Sequence, residues 1–222
     1  FIQTDGGMVM YPTLAEKAGI VENAVDTLLK MGYENPKVAA LCAVESVNPK
    51  MKESVEAAGL QRMNREGIIR NCTVVGPISY DVAMDADIAR RKGVDCPWCG
   101  DFDVLLVPDL NCGNIMGKCL TVTAGAKMAG VVVGARAPIV LTSRVSSAEE
   151  RFNSIAVAPQ LEMPLLALVA GRDEVIPPVY AYNLTGEWGG EVALVTVEDA
   201  GHNDIQNSDL FWESIDAFLK AM

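Results

Sequence analysis

Short apolar runs alternate with amphipathic stretches along the chain. Leu14, Ala18, Val21, Val25 and Leu28 recur at spacings of four and three, which is one face of a helix. Thr13-Leu-Ala-Glu16 before them is a capping box, and Gly32 follows as a stop. Residues 38–44 read as a buried strand, and 49–64 as a helix that Gly67 ends. Residues 73–75 form a strand closing at Gly76-Pro77, and 81–92 a charged helix. A strand over 103–107 leads through the turn 108–113 into a helix reaching about residue 128.

Residues 130–134 and 139–141 are short, wholly apolar strands, and 146–156 a helix. Then come Pro159 and Pro164, which forbid continuous helix. A strand over 165–169, a short helix over 179–184, a strand over 192–197 and a last helix over 209–219 complete the pattern. Strands apolar on both faces, alternating with helices, predict an α/β fold: a largely parallel sheet with helices on both faces.

Composition narrows the class. Half of the 222 residues are hydrophobic and mean hydropathy is +0.21, enough to bury a core. No run approaches the roughly 18 apolar residues of a membrane span. The net charge of −11 argues against nucleic acid as the main partner and fits a cytoplasmic enzyme. Phe1 begins a polar, Gly-containing segment without a leader pattern and reads as an internal start. The six cysteines are too few for a small disulfide scaffold. Cys42 and Cys72 lie in apolar runs and read as buried thiols. Cys96-Pro-Trp-Cys99 precedes a strand rather than opening a helix, and no second ligand pair has zinc spacing. It reads as a loop, and no metal site is expected.

His202 is the one histidine, in Glu198-Asp-Ala-Gly-His-Asn-Asp-Ile205. Together with Pro164-Leu-Leu-Ala-Leu-Val-Ala-Gly-Arg-Asp-Glu-Val-Ile-Pro177, this stretch resembles the C-terminal end of an α/β-hydrolase. That resemblance makes Asp173 the residue orienting His202, and His202 the base for a serine. The G-x-S-x-G elbow is absent: Ser79, Ser143, Ser146 and Ser147 lack its glycines. The pair is read either as half of a triad without a nucleophile or as a histidine satisfied by its neighbour.

The front of the chain carries a different set of motifs. They are Thr4-Asp-Gly-Gly-Met-Val-Met-Tyr-Pro12, Lys37-Val-Ala-Ala-Leu-Cys-Ala-Val-Glu45 and Val75-Gly-Pro-Ile-Ser-Tyr-Asp81. Further on stand Gly100-Asp-Phe-Asp-Val-Leu-Leu-Val-Pro-Asp109, Gly113-Asn114-Ile115 and Ala137-Pro-Ile-Val-Leu-Thr-Ser-Arg144. Residues 1–157 therefore resemble the phosphate acetyl/butyryltransferase family, nearest its butyryl branch, and begin in mid-protein. The resemblance implies two α/β domains with a cleft, a homo-oligomer, and acyl transfer between coenzyme A and inorganic phosphate. These two are substrates, and no tightly bound cofactor is implied.

By that resemblance Ser143, Arg144 and Glu150 are the catalytic residues. A guanidinium suits phosphate, a carboxylate can take the thiol proton, and a hydroxyl can stabilise the thiolate or carbonyl oxygen. Ser147-Ala-Glu-Glu150 is also a capping box, so Glu150 is read either as the base or as a cap. Arg144 is a phosphate clamp or a solvated charge past a strand. Asp109, Gly113 and Asn114 lie on a strand-to-helix turn, where α/β sheets bind ligands. Gly113 serves substrate or the turn, and Asn114 substrate or a helix cap. The chain then reads as a mosaic of incomplete domains, with transferase-like sequence over 1–158 and hydrolase-like sequence over 159–222.

Overall fold

The computed structural model describes residues 1–134, 139–140, 154, 164–175 and 177–221. The chain divides into two compact units, Phe1–Lys127 and Met128–Met222. In the first unit four parallel strands, β1 (Ile2–Thr4), β2 (Lys37–Leu41), β3 (Thr73–Ile78) and β4 (Val104–Leu106), lie in the order β1-β4-β2-β3. Alternate residues of the central strands feed two cores. Val38, Ala40, Val104 and Leu106 face one, and Ala39, Leu41, Leu105 and Val107 the other.

The first core is covered by α1 (Leu14–Lys30) and α2 (Lys52–Arg65). Thr13 and Glu16 close the expected capping box, with Thr13 N donating to Glu16 Oε2 at 2.7 Å. Val21, Val25 and Leu28 then fall on the buried face. Asn64 fastens the end of α2 to the start of β3. Its amide nitrogen donates to the Cys72 carbonyl at 3.0 Å, and its oxygen accepts from Val74 N at 3.0 Å. The second core is covered by α3 (Tyr80–Met84) and α4 (Ala86–Arg91), with Met116 of α5 (Leu110–Val122) packed against it.

The structure departs from the sequence reading in several places. The charged helix over 81–92 is two helices. Asp85 is extended, and its carboxylate accepts from Asp87 N at 2.7 Å and Ile88 N at 3.0 Å, capping a new start. The strand expected over 38–44 ends at Leu41, after a register shift against β3. That third strand runs through Gly76-Pro77 to Ile78. Proline is tolerated there because β3 is an edge strand. The helix after β4 stops at Val122, and the chain turns out at Gly125, whose φ is +67°. The polar first segment contains β1, too short to show a period.

In the second unit β5 (Val131–Val132) and β6 (Ile139–Val140) pair antiparallel. The parallel pair β7 (Leu165–Ala170) and β8 (Val192–Val197) is joined by α6 (Val179–Glu187), and α7 (Asp209–Ala221) follows. The helix expected over 146–156 lies outside the described residues apart from Ser154.

Candidate functional site

Parallel strands deliver their loops to one edge of the sheet, and ligands of open α/β sheets bind there, where the strand order reverses. In the order β1-β4-β2-β3 that point is the crevice between β2 and β4. A hollow at this place is lined by Lys17, Leu41, Glu53, Leu106 and Pro108. Lys17 is 4% exposed and pairs with Glu56 at 2.7 Å.

Two loops close on each other beside this crevice. After β1, Asp5 folds the chain back: its Oδ1 accepts from Gly7 N and Met8 N, and its Oδ2 from Val9 N, each at 2.9 Å. After β4, Asp109 caps α5, accepting from Cys112 N at 2.9 Å. Gly113 lies in the first turn of that helix against Gly6. A Cβ on Gly113 would stand 2.7 Å from Gly6 Cα and 2.8 Å from Val107 Cγ2. The Gln3 amide donates to the Gly113 carbonyl at 2.6 Å. Asn114 reaches the Gly6 carbonyl at 3.5 Å. The cap is therefore Asp109, and the capping alternative for Asn114 is set aside.

The ends of β2 and β3 carry a cluster that the sequence motifs did not single out as a site. Buried Ser79 bonds to Asp81 Oδ1 at 2.6 Å and to Glu45 Oε1. Lys92, just beyond α4, reaches Glu45 at 3.0 Å and Asp81 at 2.9 Å. One hydroxyl proton cannot serve two carboxylates at once, and the ammonium balances the second. The Ser79 hydrogen bond first, and then Lys92, hold Asp81 at about 2 and Glu45 below its ordinary value. The two carboxylates, Asp81 foremost, raise Lys92.

In the second unit Asp173 follows β7 and His202 follows β8. His202 Nδ1 lies 2.9 Å from Asp173 Oδ2, and the other carboxylate oxygen accepts from Val175 N at 2.9 Å. Gly171 lets the two strand ends approach: a Cβ there would stand 2.8 Å from Glu198 Cα. A carboxylate on Nδ1 can only accept, so in a neutral ring this contact selects the tautomer with Nε2 as acceptor, the one a general base needs. Among the described residues, no three His, Cys, Asp or Glu side chains group so as to hold a metal ion. No helix among them is long and apolar enough to cross a membrane.

The family model "Phosphate acetyl/butaryl transferase" matches residues 1–159. The chain belongs to this family. It is 45% identical over 169 residues to a phosphate butyryltransferase of Clostridium acetobutylicum, covering 76% of this chain and 54% of that protein. It is 43% identical over 157 residues to a phosphate acetyltransferase of Thermotoga maritima, covering 71% and 53%. The structure of a branched-chain phosphotransacylase from Enterococcus faecalis V583 matches with a TM-score of 0.67 at 39% identity, over 72% of this chain and 57% of that one. The chain spans about half the length of the curated relatives it matches.

Of the site residues expected for this family, Asp109, Gly113 and Asn114 share the first turns of α5 and its cap. Ser143, Arg144 and Glu150 fall within the matched residues but lie outside the described residues. The sequence signal for the missed cluster was present in two of the quoted motifs, in Glu45 and in Ser79-Tyr-Asp81. Lys92, which joins them, belongs to neither.

Proposed function

We propose that this chain transfers a short acyl group, butyryl or acetyl, between coenzyme A and inorganic phosphate. The observation carrying the reading is the family match over residues 1–159, which takes in the whole strand-end crevice. In the direction of thioester formation, Glu150 takes the proton of the coenzyme A thiol. The sulfur attacks the acyl carbonyl carbon, the carbon–oxygen bond to phosphate breaks, and phosphate leaves with the electron pair. Arg144 holds the phosphate, and Ser143 donates to the thiolate or to the carbonyl oxygen. No covalent enzyme intermediate is required, since placing two substrates in line supplies much of the rate. Asp109 and Asn114 border the acyl phosphate or coenzyme A, while Gly113 keeps α5 closed on the loop after β1. The active species is a homo-oligomer.

Thiol release from butyryl-CoA, measured with and without phosphate, tests the reading. Phosphate-dependent release that disappears in Ser143→Ala and in Arg144→Ala is expected. Full activity in both variants would overturn the site assignment.

The contact of His202 with Asp173 favours a second reading for residues 159–222, a hydrolase-derived pair. It requires a serine within reach of His202. Covalent labelling by a fluorophosphonate, lost in His202→Ala, is its signature, and an unlabelled wild-type chain removes it.

A further inference from the structure

We propose that Cys96 and Cys99 form a reversible redox site, in which a hydroperoxide converts the two thiols into one intramolecular disulfide. The inference goes beyond acyl transfer and does not depend on it. The pair stands in Cys96-Pro97-Trp98-Cys99, in the segment between α4 and β4. Cys99 N donates to the Cys96 carbonyl at 3.4 Å. This closes a four-residue turn, which brings the two α-carbons within about 7 Å of each other. Such separations overlap those a disulfide bridges. The turn is held from outside as well: Gly100 N donates to the Ala83 carbonyl at 2.8 Å, and Asp101 N to the Trp98 carbonyl at 2.9 Å.

Both side chains lie on the second core, Cys99 buried and Cys96 partly buried. Both are free thiols. Burial first, and then the hydrogen bond with Cys96, push the Cys99 thiol up to about 12. The other cysteines that share an element or a strand pair are not so placed. Cys112 and Cys119 are separated by two turns of α5, about 10 Å along its axis. Cys42 and Cys72 flank opposite ends of the β2–β3 pair.

Exposure assigns the two roles. Cys96, the more accessible thiol, attacks the peroxide oxygen. The oxygen–oxygen bond breaks, an alcohol or water departs, and Cys96 becomes a sulfenic acid. The Cys99 sulfur then attacks the Cys96 sulfur. The sulfur–sulfur bond forms, the sulfur–oxygen bond breaks, and hydroxide leaves as water with the Cys99 proton. Two electrons have passed from the thiols to the peroxide. A dithiol reductant returns them and is itself oxidised to a disulfide. Because burial favours the protonated form of Cys99, the closing step speeds up as pH rises. The segment begins just past Lys92, so closure stiffens the chain that carries this lysine to Glu45 and Asp81.

The test exposes the intact chain to hydrogen peroxide, removes the peroxide, unfolds the chain in denaturant, blocks the remaining thiols with iodoacetamide and weighs the peptide containing residues 96–99. The expected peptide lacks two hydrogens and carries no alkyl group. Dithiothreitol applied before alkylation restores two alkylated cysteines. The expected rate of disulfide formation climbs with pH. In Cys96→Ser, Cys99 remains alkylatable after the same treatment. Three results would overturn the proposal: two alkyl groups on the oxidised wild-type peptide, disulfides joining different chains, or loss of the Cys99 thiol in Cys96→Ser.

Discussion

Gly6 and Gly113 meet backbone to backbone: a Cβ on Gly113 would stand 2.7 Å from Gly6 Cα and 2.8 Å from Val107 Cγ2. Neither neighbour is the loose end of a flexible side chain, so Gly113→Ala forces α5 away from the loop after β1. The expected loss is about 1–3 kcal/mol, the range of overpacking in a close-packed interior. Gly7→Ala is the control. Nothing lies within 4 Å of its Cβ position, and its expected change is within about 0.5 kcal/mol. Urea midpoints of the two variants check both.

Asp109 holds the first turn of α5 through Cys112 N and borders the crevice where substrate is proposed to lie. Two substitutions separate these roles. Asp109→Ala removes the cap and should cost about 1 kcal/mol. Asp109→Asn keeps a capping oxygen and should fold with nearly wild-type stability. If Asp109 also contacts substrate, the Asn variant loses phosphate-dependent thiol release while its melting curve stays put. If it is only a cap, the Asn variant keeps both.

The Glu45, Ser79, Asp81 and Lys92 cluster sets a pH dependence with two flanks. Asp81 sits at about 2 against an ordinary 3.8. A depressed carboxylate contributes stability that is present above its unfolded value and lost as pH falls through 3.8 toward 2. Glu45 shifts in the same direction and adds to the acid flank. Lys92 is raised above 10.5, so its share is complete below that value and lost at more alkaline pH. Lys92→Met removes the shared cation. Stability measured against pH should therefore fall less steeply in the variant than in the wild type on both flanks. Parallel curves would show that the three charged groups do not interact in solution.

Much of this arrangement was legible in the chain, and what was not has a common cause. The α1 helix announced itself because its cap, its apolar face and its stop all lie within twenty consecutive residues. The α/β class followed from strands apolar on both faces. The Asp173–His202 contact was expected because each residue follows its own strand in a recognisable motif. Glu45 and Lys92, by contrast, are 47 positions apart, and only the placement of β2 beside β3 brings their loops to one edge. The tight contact of Gly113 with Gly6 is of the same kind. No local pattern records a neighbour that arrives through sheet order. The break at Asp85 was missed for the opposite reason. An N-cap residue inside a charged run looks like another solvated acid until the backbone is seen to extend there.

Lys17 and Glu56 offer the clearest separation of charge from packing. Their side chains are 5% and 12% exposed, 2.7 Å apart, between α1 and α2. A buried ion pair owes much of its apparent strength to what happens when one partner is removed. Glu56→Gln leaves the ammonium of Lys17 buried beside a neutral amide and should destabilise the fold by roughly 3 kcal/mol. Lys17→Met takes away the buried cation and fills its place with an apolar chain. Glu56 meanwhile keeps the more exposed Lys52 at 3.4 Å. The expected loss is less than half that of Glu56→Gln, and the double variant should lie close to Lys17→Met. Unfolding midpoints for the three variants decide it. A larger loss in Lys17→Met than in Glu56→Gln would mean that the lysine stabilises this face by more than its pairing with Glu56, and would direct attention to its place on the wall of the β2–β4 crevice.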